Sequence, residues 1–299
     1  MSKVYNYVQE TIIKRLEEAI ENGGTAPWRK PWKGINFVNY VTRKPYRGIN
    51  LLLLPEPGEY ITFNQISKLR EKDSGIKLRK GCKKHMVVFW SFNQSKKKKE
   101  EDGEEVVVIN QAPIFRYYSV YNIKDVEGLE SKFDGMDNEH ESIEKAEKVI
   151  DNYGKENGID INIIKGSDRA FYNIVKDFVS VPDKSQYKNI AEYYSTMFHE
   201  IVHSTGHPKR LKRFTENESH IFGSESYSKE ELVAEIGANM LLGTLGIEHE
   251  EAQENSIAYL RSWLRAIKDD VKFIVSASQK AQKAVDYILG ETIYEIDED

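Results

Sequence analysis

The 299-residue sequence predicts an α+β protein in two parts. Three observations carry this. Between residues 38 and 121, short runs rich in β-branched and aromatic residues alternate with an occasional apolar repeat of helical spacing. Charge is unevenly spread: residues 1–125 hold 23 Lys and Arg against 14 Asp and Glu, and the remainder 20 against 34. Late in the chain, His199-Glu200-Ile201-Val202-His203 lies inside a largely apolar run of helical spacing, from about Ser185 to Thr205. The expected division is a basic front domain over 1–125, a linker over 126–142 and an acidic back domain over 143–299.

Val8, Ile12, Leu16 and Ile20 repeat every four residues, so Tyr5 to Glu21 is expected as an amphipathic helix ended by Asn22-Gly23-Gly24. Pro27-Trp28-Arg29-Lys30-Pro31-Trp32 is too proline-rich for regular structure. Leu51 to Leu54 fits helix or strand. Tyr60 to Phe63 reads as a strand leading into a helix over 64–72, and Leu78 to Lys84 as a basic turn. His85 to Phe92, Val106 to Ile109 and Phe115 to Tyr121 read as strands. Lys96 to Glu105, charge-rich throughout, is expected as a solvated hairpin loop. Beyond the linker, Ile143 to Tyr153 marks a helix, and Ile159 to Ile164, Arg169 to Tyr172 and Asp177 to Pro182 mark strands. The last is expected to be an edge that pairs with an extended peptide. Helices follow over about 229–245, 251–267 and 269–289.

Composition excludes several classes. No apolar run approaches the roughly twenty residues that span a membrane. The first residues lack the apolar core of a signal peptide, so a cytoplasmic protein is expected. Cys82 is the only cysteine, which excludes an internal disulfide and a thiolate metal cluster.

Residues four apart share one helix face, so His199 and His203 can aim two imidazoles at one metal ion with Glu200 beside them. That spacing supplies two zinc ligands and a general base for hydrolysis. A third protein ligand is needed, and Glu231, Glu235, His207 and His220 are the candidates. Glu231 and Glu235 lie four apart on one apolar helix, costly positions for acids that serve nothing. Glu231 is expected to complete the ligand set, with Glu235 accepting the N–H of a ligating imidazole. Glu230 is expected to be a solvated first-turn acid. Tyr227 is the candidate to stabilise an oxyanion, against the plainer reading of a core tyrosine. In the front domain, Trp28, Arg29, Lys30, Trp32, Tyr46, Arg47, Arg79 and Lys80 combine rings that stack bases with cations that track phosphates, which points to single-stranded DNA.

Taken together, Pro27-Trp28 with Pro31-Trp32, Tyr46-Arg47-Gly48-Ile49-Asn50, Phe63-Asn64-Gln65, Arg79-Lys80-Gly81, Tyr193-Tyr194-Ser195-Thr196, HEIVHSTGH, Phe222-Gly223-Ser224 to Tyr227, EELVAEIGA, Ser262-Trp263-Leu264 and Ala281-Gln282-Lys283-Ala284 resemble the ArdC-type antirestriction proteins of plasmids, conjugative elements and phages. The likeness covers nearly the whole chain and departs at the Lys96–Lys99 insert. It implies an N-terminal single-stranded-DNA-binding domain followed by a zincin-like metallopeptidase domain of the HExxH-plus-Glu (gluzincin) type, acting to protect incoming DNA from restriction. The expected cofactor is Zn2+, with Mn2+ or Co2+ as alternatives. The expected partners are single-stranded DNA and a protein substrate, with a host defence protein one candidate. The rival readings are a DNA-coating protein with a relic metal site and a nuclease; many phosphoryl-transfer sites hold two metals, and only one cluster is visible here.

Overall fold

The computed structural model describes residues 3–21, 37–101, 104–132, 139–214, 225–247 and 257–290. Helix α1 (Lys3–Glu21) buries Val4, Val8, Ile12 and Leu16, the stripe that its four-residue repeat dictates. Strand β1 (Val38–Asn39) and the short helix α2 (Ile49–Leu53) follow, so the Leu51 to Leu54 run is helical at its start. Strand β2 (Glu59–Thr62) passes into helix α3 (Phe63–Arg70) through a capping box between Thr62 and Gln65, which satisfies the helix's first N–H groups. Strand β3 (Lys77–Leu78) precedes two long strands, β4 (His85–Glu101) and β5 (Glu104–Asn122), and a short β6 (Val126–Glu127). The front sheet has the order β1-β2-β5-β4, and β3 pairs with β6 separately.

The β4–β5 ladder corrects the expected loop over 96–105. Its register runs from His85↔Val120 to Glu101↔Glu104, with Lys96↔Ile109 and Lys99↔Val106 on the way. Charged side chains disfavour burial, but they do not prevent a ladder whose backbone groups pair with each other. For the same reason Val106–Ile109 and Phe115–Tyr121 are one strand. The edge strand β4 is covered at Val88 by Asn50. Its side-chain amide donates to the Val88 carbonyl at 2.8 Å and its Oδ1 accepts the Val88 N–H at 2.7 Å.

Helix α4 (Glu139–Asn157) leads to the second sheet, of order β7-β9-β8, built from β7 (Asp160–Ile164), β8 (Phe171–Asn173) and β9 (Phe178–Pro182). Here β7 runs parallel and β8 antiparallel to β9. Strand β9 is therefore central rather than the expected edge: both its sides are paired, and the edges of this sheet are β7 and β8. Four helices complete the chain: α5 (Ile190–Thr205), α6 (Glu225–Leu245), α7 (Ile257–Asp269) and α8 (Phe273–Leu289).

One apolar cluster runs through both parts. Val8, Ile12 and Leu16 of α1 and Leu52 and Leu53 of α2 belong to the same core as Leu232, Leu241, Trp263, Ile274 and Val285. Polar ties reinforce the junction. Gln9 donates to the Ile267 carbonyl at 2.6 Å, and Arg47 is ion-paired with Asp286. Gln282 accepts the Gly48 N–H at 2.9 Å, at a backbone φ of 58° that favours glycine. Among the described residues, no helix is long and apolar enough to cross a membrane.

Candidate metal centre

Helix α5 is opened by Asn189, whose side chain accepts the Glu192 N–H at 2.8 Å. It ends at Gly206, where a β-carbon would stand 2.7 Å from the Phe214 ring. The chain turns back there, and the Phe214 N–H donates to the Gly206 carbonyl at 3.0 Å. Tyr193, Tyr194, Met197, Phe198, Ile201 and Val202 are buried, so the helix orientation is fixed by packing on most of its circumference. The remaining face carries His199 and His203 toward α6.

Their Nε2 atoms stand 3.1 Å apart. Glu231 closes the triangle, with Oε2 at 3.4 Å from His199 Nε2 and Oε1 at 3.3 Å from His203 Nε2. One donor atom from each of the three residues lies within 4.8 Å of the others. On the far side of each ring a carboxylate faces Nδ1: Glu235 at 3.7 Å from His199 and Glu230 at 3.5 Å from His203. Carboxylates at both Nδ1 positions favour the tautomer whose Nε2 lone pairs point inward. Glu200 is almost fully buried beside His199.

Such a cluster requires positive charge. Burial disfavours the imidazolium, yet hydrogen bonding to Glu230 and Glu231 outweighs it and carries His203 up to about 9. Burial likewise opposes charge on His199, and Glu231 and Glu235 override it, well above the ordinary value. Burial pushes the Glu231 carboxyl up, but the two imidazoles hold it well below its usual range. Two imidazoles and a carboxylate whose surroundings favour positive charge, with their donor atoms converging, fit a divalent cation with His/His/Glu donors.

The chain is similar to a crystal structure described as the antirestriction ArdC protein from plasmid R388 in metal-free form, with a TM-score of 0.70 and 32% identity, covering 97% of this chain and 98% of that one. This chain belongs to the ArdC antirestriction family. Residues 2–121 match the family profile described as the N-terminal domain of anti-restriction factor ArdC, and residues 144–280 the profile of a zincin-like metallopeptidase. The Mn(II)-bound structure of the R388 protein is similar to this chain with a TM-score of 0.69 and 31% identity, over 98% of this chain and all of that one. A DNA primase TraC of Escherichia coli is 33% identical over 97% of this chain, which spans only 28% of that protein's length. An uncharacterized protein, y4eC, of Sinorhizobium fredii is 29% identical over 94% of this chain and 91% of its own length.

Within this ArdC-type architecture the other sequence candidates fall in distinct places. His207 stands apart from the donor cluster: its Nδ1 accepts the Lys209 N–H at 3.1 Å and lies 3.9 Å from Asp177. His220, Trp28, Arg29, Lys30 and Trp32 lie outside the described residues, as does the side chain of Tyr227, whose backbone is in the first turn of α6. Tyr46 is withdrawn from the stacking set. Its ring is 6% exposed and packs edge-on against Tyr60 at 6.2 Å, and burial pushes its hydroxyl up to about 12. Arg47 is held by Asp286 at the junction with α8 rather than presented to a backbone phosphate. Arg79 and Lys80 are exposed on the turn after β3.

Two residues of the site were not legible. Glu230, expected in solvent, is largely withdrawn from it, its side chain 14% exposed, and is held by Arg213, whose Nε and Nη2 both reach it, the closest contact 2.7 Å. Its exposure depends on a guanidinium 17 residues upstream, across a turn of chain that no helical periodicity connects to it. The front part also exposes rings that strand assignment alone does not place: Tyr117 of β5 is 52% exposed and Phe63, at the start of α3, 50%.

Proposed function

We propose that this protein is an antirestriction factor that binds single-stranded DNA and carries a zinc-dependent peptidase site, with His199, His203 and Glu231 as ligands and Glu200 as general base. The observation that supports this most strongly is the convergence of two imidazole Nε2 atoms and one carboxylate beside a buried second carboxylate. A His/His/Glu donor set suits zinc, and the same nitrogen and oxygen donors accept manganese or cobalt. When bound, such an ion supplies Lewis acidity toward a peptide carbonyl. Glu235 and Glu230 keep the imidazoles in the ligating orientation. Glu200 takes a proton from the attacking water and passes it to the departing amine.

Strand β8 offers the open edge nearest the metal helix, where an extended peptide can add as a further strand. The substrate is a protein, with a host defence protein as the candidate that antirestriction implies, and the setting is the cytoplasm. Tyr227, on the first turn of α6, is the candidate partner for the oxyanion. For DNA, Trp28, Arg29, Lys30, Trp32, Arg79 and Lys80 remain the proposed contacts, joined by the exposed Tyr117.

Glu200→Gln tests the chemistry, because it keeps shape and metal ligands but removes the base. Incubated with a denatured protein substrate at equal metal content, wild type should cleave and the variant should not. Equal cleavage would remove Glu200 from its role. Loss of cleavage with restriction protection intact would favour the DNA-coating reading, in which protection needs no hydrolysis.

A further inference from the structure

The loop that leaves the metal helix turns back and buries one guanidinium between α5 and α6. Arg213 is 6% exposed and makes contacts in three directions. Its Nη1 donates to Thr205 Oγ1 at 2.7 Å and its Nη2 to the Val202 carbonyl at 2.7 Å, both in the last turn of the HExxH helix. Nε and Nη2 also grip Glu230, at 3.1 Å to Oε2 and 2.7 Å to Oε1. Glu230 in turn faces His203 Nδ1 at 3.5 Å, and the next residue along is Glu231.

We propose that Arg213 is a positioning residue of the metal centre: it fixes Glu230 against the Nδ1 of His203 and ties the end of the HExxH helix to the turn of α6 that carries Glu231. This rests on the reading of His199, His203 and Glu231 as metal ligands. The geometry gives the reason. A carboxylate can orient an imidazole only if it is itself held, and a buried carboxylate without a partner would swing to solvent or take up a proton. The planar guanidinium suits this task because it reaches a carboxylate with two prongs and keeps a donor for each of two helix-end oxygens. Lysine has no such fork.

A pair of buried charges can be purely architectural, and the test separates the two roles. Replacing both members of a buried ion pair by apolar residues of similar size often preserves stability, whereas removing one does not. The variants are Arg213→Met, Glu230→Met, the double Arg213→Met/Glu230→Met, and Glu230→Gln, which keeps an oxygen able to accept the imidazole N–H. Each full-length protein is stripped with a chelator, its thermal midpoint is measured, and Zn2+ affinity is read by competition with a chromophoric chelator. Arg213→Met should lose stability and bind Zn2+ about 10–100-fold more weakly. The double variant should recover the thermal midpoint but keep the weakened affinity, and Glu230→Gln should lose less affinity than Glu230→Met. A double variant that recovers both quantities, or a folded Arg213→Met with wild-type affinity, would overturn the assignment. A wild-type chain that takes up no divalent metal at all would instead overturn the reading of the ligands on which it rests.

Discussion

The separation of the two helices that make the metal centre is set by a glycine, and adding one carbon there should be felt at the metal. Gly237 of α6 faces Val202 of α5, and a β-carbon built on it would lie 2.9 Å from Val202 Cγ2 and 3.1 Å from Cγ1. Carbon atoms rest about 3.5–4.0 Å apart, so Gly237→Ala demands a separation of roughly half an ångström or more. Val202 cannot swing aside: it is fully buried, and a β-branched side chain on a helix has essentially one rotamer. Overpacking of this kind costs about 1–3 kcal/mol, against about 1 kcal/mol of helix propensity gained by alanine over glycine. At the middle of that range the net loss is about 1 kcal/mol, which should lower the thermal midpoint by about 2–4 °C. Gly237 lies six residues beyond Glu231 and two beyond Glu235, so a shift of α6 also draws both carboxylates from the imidazoles they face at 3.3–3.7 Å. Zinc affinity should fall with stability, and Val202→Ala in the same chain should restore part of both by reopening the space. Thermal melts and zinc competition on the single and double variants read this. A Gly237→Ala protein with an unchanged midpoint and unchanged affinity would refute the claim that this contact sets the helix spacing.

Two further outcomes follow from the same geometry. In chelator-stripped protein, His203 is raised from its ordinary 6.5 to about 9, so its contribution to stability is complete below about pH 6.5 and lost as pH climbs through 9. Glu231 is held below its ordinary range, so its contribution is present above about pH 4.5 and lost in acid. The stripped protein should therefore be most stable between these limits, while protection by added zinc grows toward pH 9; melts with and without zinc that keep a constant gap across this range would contradict it. Residues 1–125 expressed alone should not form a stable unit, because Val8, Ile12 and Leu16, all fully buried, pack into a core shared with α7 and α8. A cooperative thermal transition in that fragment would show that the front part does not need the back.

Much of the site could be read from sequence because helical spacing is a rigid ruler. His199 and His203 had to share a face, and Glu231 and Glu235 had to repeat that spacing on the next helix. The structure brings these four side chains together. Features that depend on partners distant in sequence escaped. Glu230 looked solvated because nothing in α6 reveals the guanidinium of Arg213. Tyr46 and Arg47 looked like a stacking ring and a phosphate contact, but the residues that claim them, Tyr60 and Asp286, come from another strand and from the last helix. Strand β9 carries a short β-branched run, which says nothing about how many neighbours pair with it. The charged stretch over 96–105 misled in another way: polarity reports where side chains go, whereas a hairpin ladder is held by backbone groups that every residue carries.

Metal uptake by Glu231→Ala and His207→Ala beside wild type tests the ligand set most directly. Wild type should bind one zinc ion per chain, His207→Ala the same, and Glu231→Ala none at stoichiometric concentration. A metal-replete Glu231→Ala beside a metal-free His207→Ala would contradict the centre described here.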